Sequence, residues 1–210
     1  MAHADDGILG RFRGKIGTVV GVSSGDRFYM RSLPRQRQKV GPKELTNRAK
    51  FKAMLDHLEP LKDLVKAGFK DHYTRTGGYR AAFAYNRKHA IAADDAGVYI
   101  DPALFRFSGG QLAGAVDPAV SLANDLLEIT WDVTDPTEGS PSDQLMVLLY
   151  DTVNSKALTT IFNGPFRSAG SYSVSIPLLL KGSEAELYIA FVAADRSVQS
   201  DSQYLGKIAL

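Results

Sequence analysis

The hydrophobic period of this chain changes from helical to strand-like at Pro102. Before it, Phe51, Met54, Leu55, Leu58, Leu61, Leu64, Val65 and Phe69 recur at steps of three and four, the spacing that lines one side of a helix. After it, short apolar runs arrive at near-regular intervals, at 104–107, 120–122, 126–131, 145–150, 157–162, 172–176, 187–193 and 204–210, separated by turn-rich stretches such as DPTEGSPSD and NGPFRSAGS. That spacing predicts an antiparallel sandwich of about seven strands. Alternation shows in Leu127, Ile129 and Trp131, and again in Tyr188, Ala190 and Val192. A lone Trp131 in an early strand, with no cysteine pair, fits a fibronectin-type or related immunoglobulin-like sandwich. The expected fold is α+β: an N-terminal β-hairpin and helical module, then an antiparallel immunoglobulin/fibronectin-like β-sandwich. The expected divisions are a glycine-rich arm with a basic connector over 1–42, a helical module over 43–100 and the sandwich over 101–210.

Glycines at 7, 10, 14, 17, 21 and 25 punctuate the first segment, with Ile16, Thr18, Val19, Val20 and Val22 between them. A turn over 23–26 precedes Arg27, Phe28, Tyr29, Met30 and Arg31, which reads as a β-hairpin. Pro34 stops it, and PRQRQKVGP is a polar, basic connector. Isolated two-stranded units are marginal in water, so the arm is expected to pack on something else. In the helical segment Pro60 lacks an amide donor and predicts a break near Glu59. A second helical stretch follows Gly77 and Gly78, with Tyr79, Ala82, Phe83, Asn86, Ala90 and Ile91 on one side, and is expected to end around 93–97.

The two halves carry opposite charge. Residues 1–100 hold 19 Lys/Arg against 10 Asp/Glu, while residues 101–210 hold 6 against 13. Such asymmetry suits either a basic face for a polyanion or unlike surfaces that attract each other between copies. No cysteine is present, which excludes a disulfide framework and thiol chemistry. The first ten residues lack the basic and apolar segments of a secretory signal, and no run approaches the roughly 20 apolar residues of a membrane span. These features leave the compartment open and are compatible with cytoplasmic synthesis followed by extracellular or virion-like assembly.

The residues that could carry catalysis do not form a constellation. Gly21-Val22-Ser23-Ser24-Gly25 matches G-x-S-x-G, but a nucleophile elbow needs a strand running sharply into a helix, and here Arg27, Phe28 and Tyr29 predict a second strand. His57, His72 and His89 lack partners at metal-ligand spacing. The acidic loop with Asp132, Asp135, Glu138 and Asp143 lacks the alternate carboxylates and central glycine of a calcium loop. Neither G-x-G-x-x-G nor the P-loop pattern occurs. The sequence predicts no enzyme, no cofactor and no resident metal.

Two surfaces remain. Ile16, Val19, Val20, Phe28 and Tyr29 are candidate anchors for contact with another copy. Arg31, Arg35, Arg37, Lys39 and Arg48 are candidate phosphate contacts for a nucleic acid, within a basic stretch over 27–52. GILGRFRGKIGTVVG, FYMRSLP, LTNRAKF, LEPLKDLVKAGFK and LYIAFVAADRSVQSDSQYLG together resemble a bacterial family of the Bacteroidetes type that is described only by a domain of unknown function. The hairpin, connector and Arg-containing helix are also similar to phage and prophage structural proteins. The arm and the opposite charge of the two halves predict a structural, self-assembling subunit of a filament, fibre or phage-like particle, with nucleic-acid binding through the basic stretch 27–52 as the alternative.

Overall fold

The computed structural model describes residues 3–4, 10–24, 26–34, 40–70, 77–94, 97–134 and 139–210, in two units, Met1–Pro42 and Lys43–Leu210.

The first unit is an antiparallel sheet. It contains β1 (His3–Ala4), β2 (Phe12–Ile16), β3 (Val19–Ser24) and β4 (Arg27–Ser32), in that order across the sheet. The expected hairpin is β3 with β4. Ile16 does not extend it, because Gly17 turns the chain at φ +57° and places Ile16 opposite Val19 on a separate strand. Gly21 has a steric reason to be glycine: a Cβ there would lie 2.0 Å from the carbonyl oxygen of Phe12.

The second unit opens with α1 (Pro42–Leu58). A single 3-10 turn over Glu59–Leu61 follows, then α2 (Lys62–Gly68). Pro60 sits inside that turn, where its missing N–H interrupts the helix as expected. The buried stripe is narrower than the apolar spacing suggests. Met54, Leu58, Leu61, Leu64, Val65 and Phe69 are buried, whereas Phe51 and Leu55 are exposed.

Helix α3 (Gly78–His89) is shorter than expected. Ile91 belongs instead to β5 (Ile91–Asp94), which pairs with β6 (Gly97–Ile100). Gly97 accounts for the correction. It adopts φ +137°, which no helix accommodates, and its N–H donates to the Asp94 carboxylate at 3.0 Å.

Seven further strands follow: β7 (Val116–Ala123), β8 (Leu126–Asp132), β9 (Gln144–Asp151), β10 (Lys156–Thr160), β11 (Ser171–Ser175), β12 (Glu184–Val192) and β13 (Gln203–Ala209). They form a four-stranded sheet, β10-β9-β12-β13, and a three-stranded sheet, β11-β8-β7. Asn124 and Asp125 turn β7 into β8 with φ +51° and +62°, the paired left-handed conformation that matches strand twist in tight hairpins.

Strands β9 and β12 are buried on both faces, which accounts for their unbroken apolar runs. On one side Leu145, Val147, Leu149, Leu187, Ile189 and Phe191 meet Leu127, Ile129 and Trp131 of β8. On the other, Met146, Leu148, Tyr150, Tyr188, Ala190 and Val192 join Met54, Leu58, Leu61, Leu64 and Phe69 of the helical segment. Helices and sheet therefore share a core, and the expected division near residue 100 falls inside one unit. The apolar run 104–107 forms no strand. Phe105 and Phe107 are buried from irregular backbone, whose N–H groups at Arg106 and Phe107 donate to Asn86 Oδ1 and Ser202 Oγ.

Candidate functional site

Strand pairing in the N-terminal sheet sorts its side chains into two faces, because side chains alternate along each strand and cross-strand partners share a side. Val19 pairs with Ile16 on one side and Ser32 on the other, Gly21 with Gly14 and Met30, and Ser23 with Phe28. Phe12 joins this face, its ring meeting Phe28 edge-on at 6.1 Å and lying over Gly21. One face is thus apolar: Phe12, Ile16, Val19, Phe28 and Met30. Ile16 is 52% exposed and Met30 62%. No large apolar side chain among the described residues of this unit is buried.

The opposite face has a different chemistry. Val20 lies between Lys15 and Arg31, Val22 faces Tyr29, and Ser24 faces Arg27. Of the five candidate anchors, Ile16, Val19 and Phe28 lie together, while Val20 and Tyr29 point the other way. Phe12 and Met30 complete the apolar face and were not among the candidates. The signal for them is present in RFRGKI for Phe12 and in RFYMRS for Met30, where side chains of the two kinds alternate with the period of a strand.

The basic candidates do not share one element. Arg31 is exposed on β4. Arg48 stands on α1 of the second unit, where it pairs with Glu44 one turn earlier at 2.7 Å, an ordinary solvated helix pair. Arg35, Arg37 and Lys39 lie outside the described residues.

The G-x-S-x-G segment lies on strand β3, with Ser23 opposite Phe28 of β4 and Gly25 outside the described residues. A second strand follows Ser23, not the helix that an elbow requires. His57 is wedged edge-on between Phe105 and Tyr150, with ring centroids 4.7 and 4.8 Å away. Burial lowers its pKa to about 4, and its buried Nε2 has no hydrogen-bond partner. His89 lies against Tyr85 at 4.6 Å, and His72 is outside the described residues. Among the described residues no three His, Asp or Glu side chains gather to hold a metal, and no helix is long and apolar enough to cross a membrane.

The acidic loop has a structural use. Asp132 accepts from the N–H and hydroxyl of Thr134, while Asp143 is buried and bonded to Arg167 at 3.2 Å. Asp135 and Glu138 lie outside the described residues.

No curated protein matches the chain. A family model spans residues 11–206, nearly the whole sequence, and the chain belongs to that family, a family of unknown function, DUF6266.

Proposed function

We propose that this protein is a structural, non-enzymatic subunit that self-associates through its N-terminal sheet into a filament, fibre or phage-like particle. The observation that carries this reading is the face formed by Phe12, Ile16, Val19, Phe28 and Met30 on a unit that buries no large apolar side chain among its described residues. A sheet needs its apolar face covered to be stable, and a second copy supplies a cover without any further partner.

Charge supports the same reading. The first unit holds 8 Lys/Arg against 3 Asp/Glu, and the second 17 against 20. Unlike surfaces on one chain favour head-to-tail contact, which repeats into a ring or helical array. The strand order β11-β8-β7 against β10-β9-β12-β13 supports a fibronectin-type or immunoglobulin-like sandwich as the body of the subunit. The likeness of the hairpin and connector to phage structural proteins, and of the whole chain to a Bacteroidetes-type family, fits this role.

Sedimentation velocity over a wide concentration range, with negative-stain microscopy of the same samples, tests the reading. Wild type is expected to form a concentration-dependent polymer, and Ile16→Asp with Met30→Asp is expected to remain monomeric. A monomeric wild type, or a double variant that assembles normally, overturns it.

A further inference from the structure

The face of the N-terminal sheet turned away from the assembly surface carries Lys15, Arg27 and Arg31, all exposed, around Tyr29, which is 48% exposed. None of the ion pairs among the described residues involves these three cations. Tyr29 stands on β4 between Arg27 and Arg31, each two residues away on the same side of the strand, while Lys15 extends the row across β3 past Val20. Val22 and Val20 form an apolar floor beside the ring.

We infer that this face binds single-stranded nucleic acid, with Tyr29 stacking on a base and Lys15, Arg27 and Arg31 contacting the flanking phosphates. A cationic groove with an accessible aromatic is what a single strand needs, because every base offers a π-face and every nucleotide a charge. An acidic protein surface would use the cations but has no need of an exposed ring among them. A duplex hides its base faces within the stack. Positive charge on an exposed edge strand also deters strand pairing. That accounts for Arg27 and Arg31 on the edge strand β4 but not for Lys15 on β2, a strand that lies between β1 and β3 in the sheet order and pairs with β1 at Phe12 and Arg13.

This site does not depend on the assembly reading, since it uses the other face. It also moves the candidate phosphate contacts from the connector and α1 to the sheet, keeping Arg31 alone of those described.

The test is fluorescence anisotropy of full-length protein with a labelled oligodeoxythymidylate of roughly 15 nucleotides, within the site sizes of about 4–16 typical of such surfaces. Binding is expected at low salt and is expected to weaken steeply as salt rises. Arg27→Glu with Arg31→Glu should weaken it at least about tenfold, and each lost phosphate contact should reduce the log–log salt slope by about 0.7. Tyr29→Ala should weaken binding about tenfold with the slope unchanged, and Tyr29→Phe should restore it, as stacking requires. Arg48→Ala, on α1 of the second unit and not part of this sheet, should bind like wild type. The inference is overturned by absence of binding at low salt, by binding indifferent to Tyr29→Ala, or by equal competition from a duplex of the same length. Charge-reversal variants that lose self-association while keeping the oligonucleotide would overturn it too, and would assign the face to a second copy.

Discussion

Arg167 and Asp143 form an ion pair, Nε to Oδ2 at 3.2 Å, with side chains only 7% and 2% exposed. The guanidinium also donates to the carbonyl oxygens of Gly114 and Ala113, both at 2.6 Å, and stacks 3.8 Å from the centroid of Phe191. Trp131 completes the arrangement by donating its indole N–H to the Arg167 carbonyl at 2.7 Å. One side chain thus ties the approach to β7, the loop before β9 and the core.

Removing one partner of a buried pair strands the other charge, which typically costs about 3–5 kcal/mol. Arg167→Ala is expected to destabilise the protein by that amount in urea titrations. Arg167→Lys keeps the charge but cannot span the carboxylate and two carbonyls at once, so its loss should fall between wild type and alanine. An alanine variant within about 1 kcal/mol of wild type would contradict the role given to this pair.

Asn86 is buried on α3 and uses both ends of its amide. Its Nδ2 donates to the carbonyls of Ala82 and Arg106 at 3.0 and 2.7 Å, and its Oδ1 accepts from the Arg106 N–H at 2.8 Å. Asn86→Ala leaves the backbone of Arg106 without these partners, and a buried unsatisfied group costs about 1–3 kcal/mol. Asn86→Leu, which restores volume but not the bonds, should not recover the loss. Denaturation midpoints of the two variants check this, and a leucine variant as stable as wild type would refute it.

Much of the second unit is legible in its sequence because a few physical signals act locally. Pro60 removes a donor, and the strands are bounded by turns rich in glycine, proline and aspartate. The uninterrupted apolar runs of β9 and β12 record burial on two faces. What escapes is long-range. Nothing in NGPFRSAGS marks Arg167 as buried, because its partners Asp143, Gly114 and Phe191 come from three other segments. In the first unit, Val19 and Val20 look equivalent in composition, yet pairing sends them to opposite faces. Only the register separates an apolar surface from a basic one.

His57 links stability to pH. Burial against Phe105 and Tyr150 lowers its pKa from 6.5 to about 4 in the folded protein, so the unfolded chain takes up the proton first as pH falls. The contribution of a neutral His57 is complete above pH 6.5 and is lost progressively down to about pH 4. It totals about 3 kcal/mol, at roughly 1.4 kcal/mol per pKa unit. Since carboxylates titrate in the same region, the readout is the difference between wild type and His57→Leu. The variant should show a shallower loss of stability over that interval, and parallel curves would rule out this coupling.

The shared core makes a prediction about fragments. Residues 43–210 are expected to unfold in one cooperative transition, because the helices cover Met146, Leu148, Tyr150, Tyr188, Ala190 and Val192 on the outer face of β9 and β12. The larger of these side chains, Met146, Leu148 and Val192 among them, contribute about 1.5–3 kcal/mol each when fully buried, and several uncovered together exceed the margin by which most domains are folded. Hydrogen bonds cross the same boundary. Gly109 donates its N–H, and Ser108 its hydroxyl, to the Gly68 carbonyl, and a Cβ at Gly68 would lie 2.3 Å from the Phe107 carbonyl oxygen. Residues 101–210 expressed alone should therefore lose the cooperative transition and bind a hydrophobic dye, and a Gly68→Ala substitution in the full chain should weaken the same contact. If the 101–210 fragment unfolds cooperatively at the midpoint of the 43–210 fragment, the helices are dispensable to the sheet and the shared core contributes nothing to its stability.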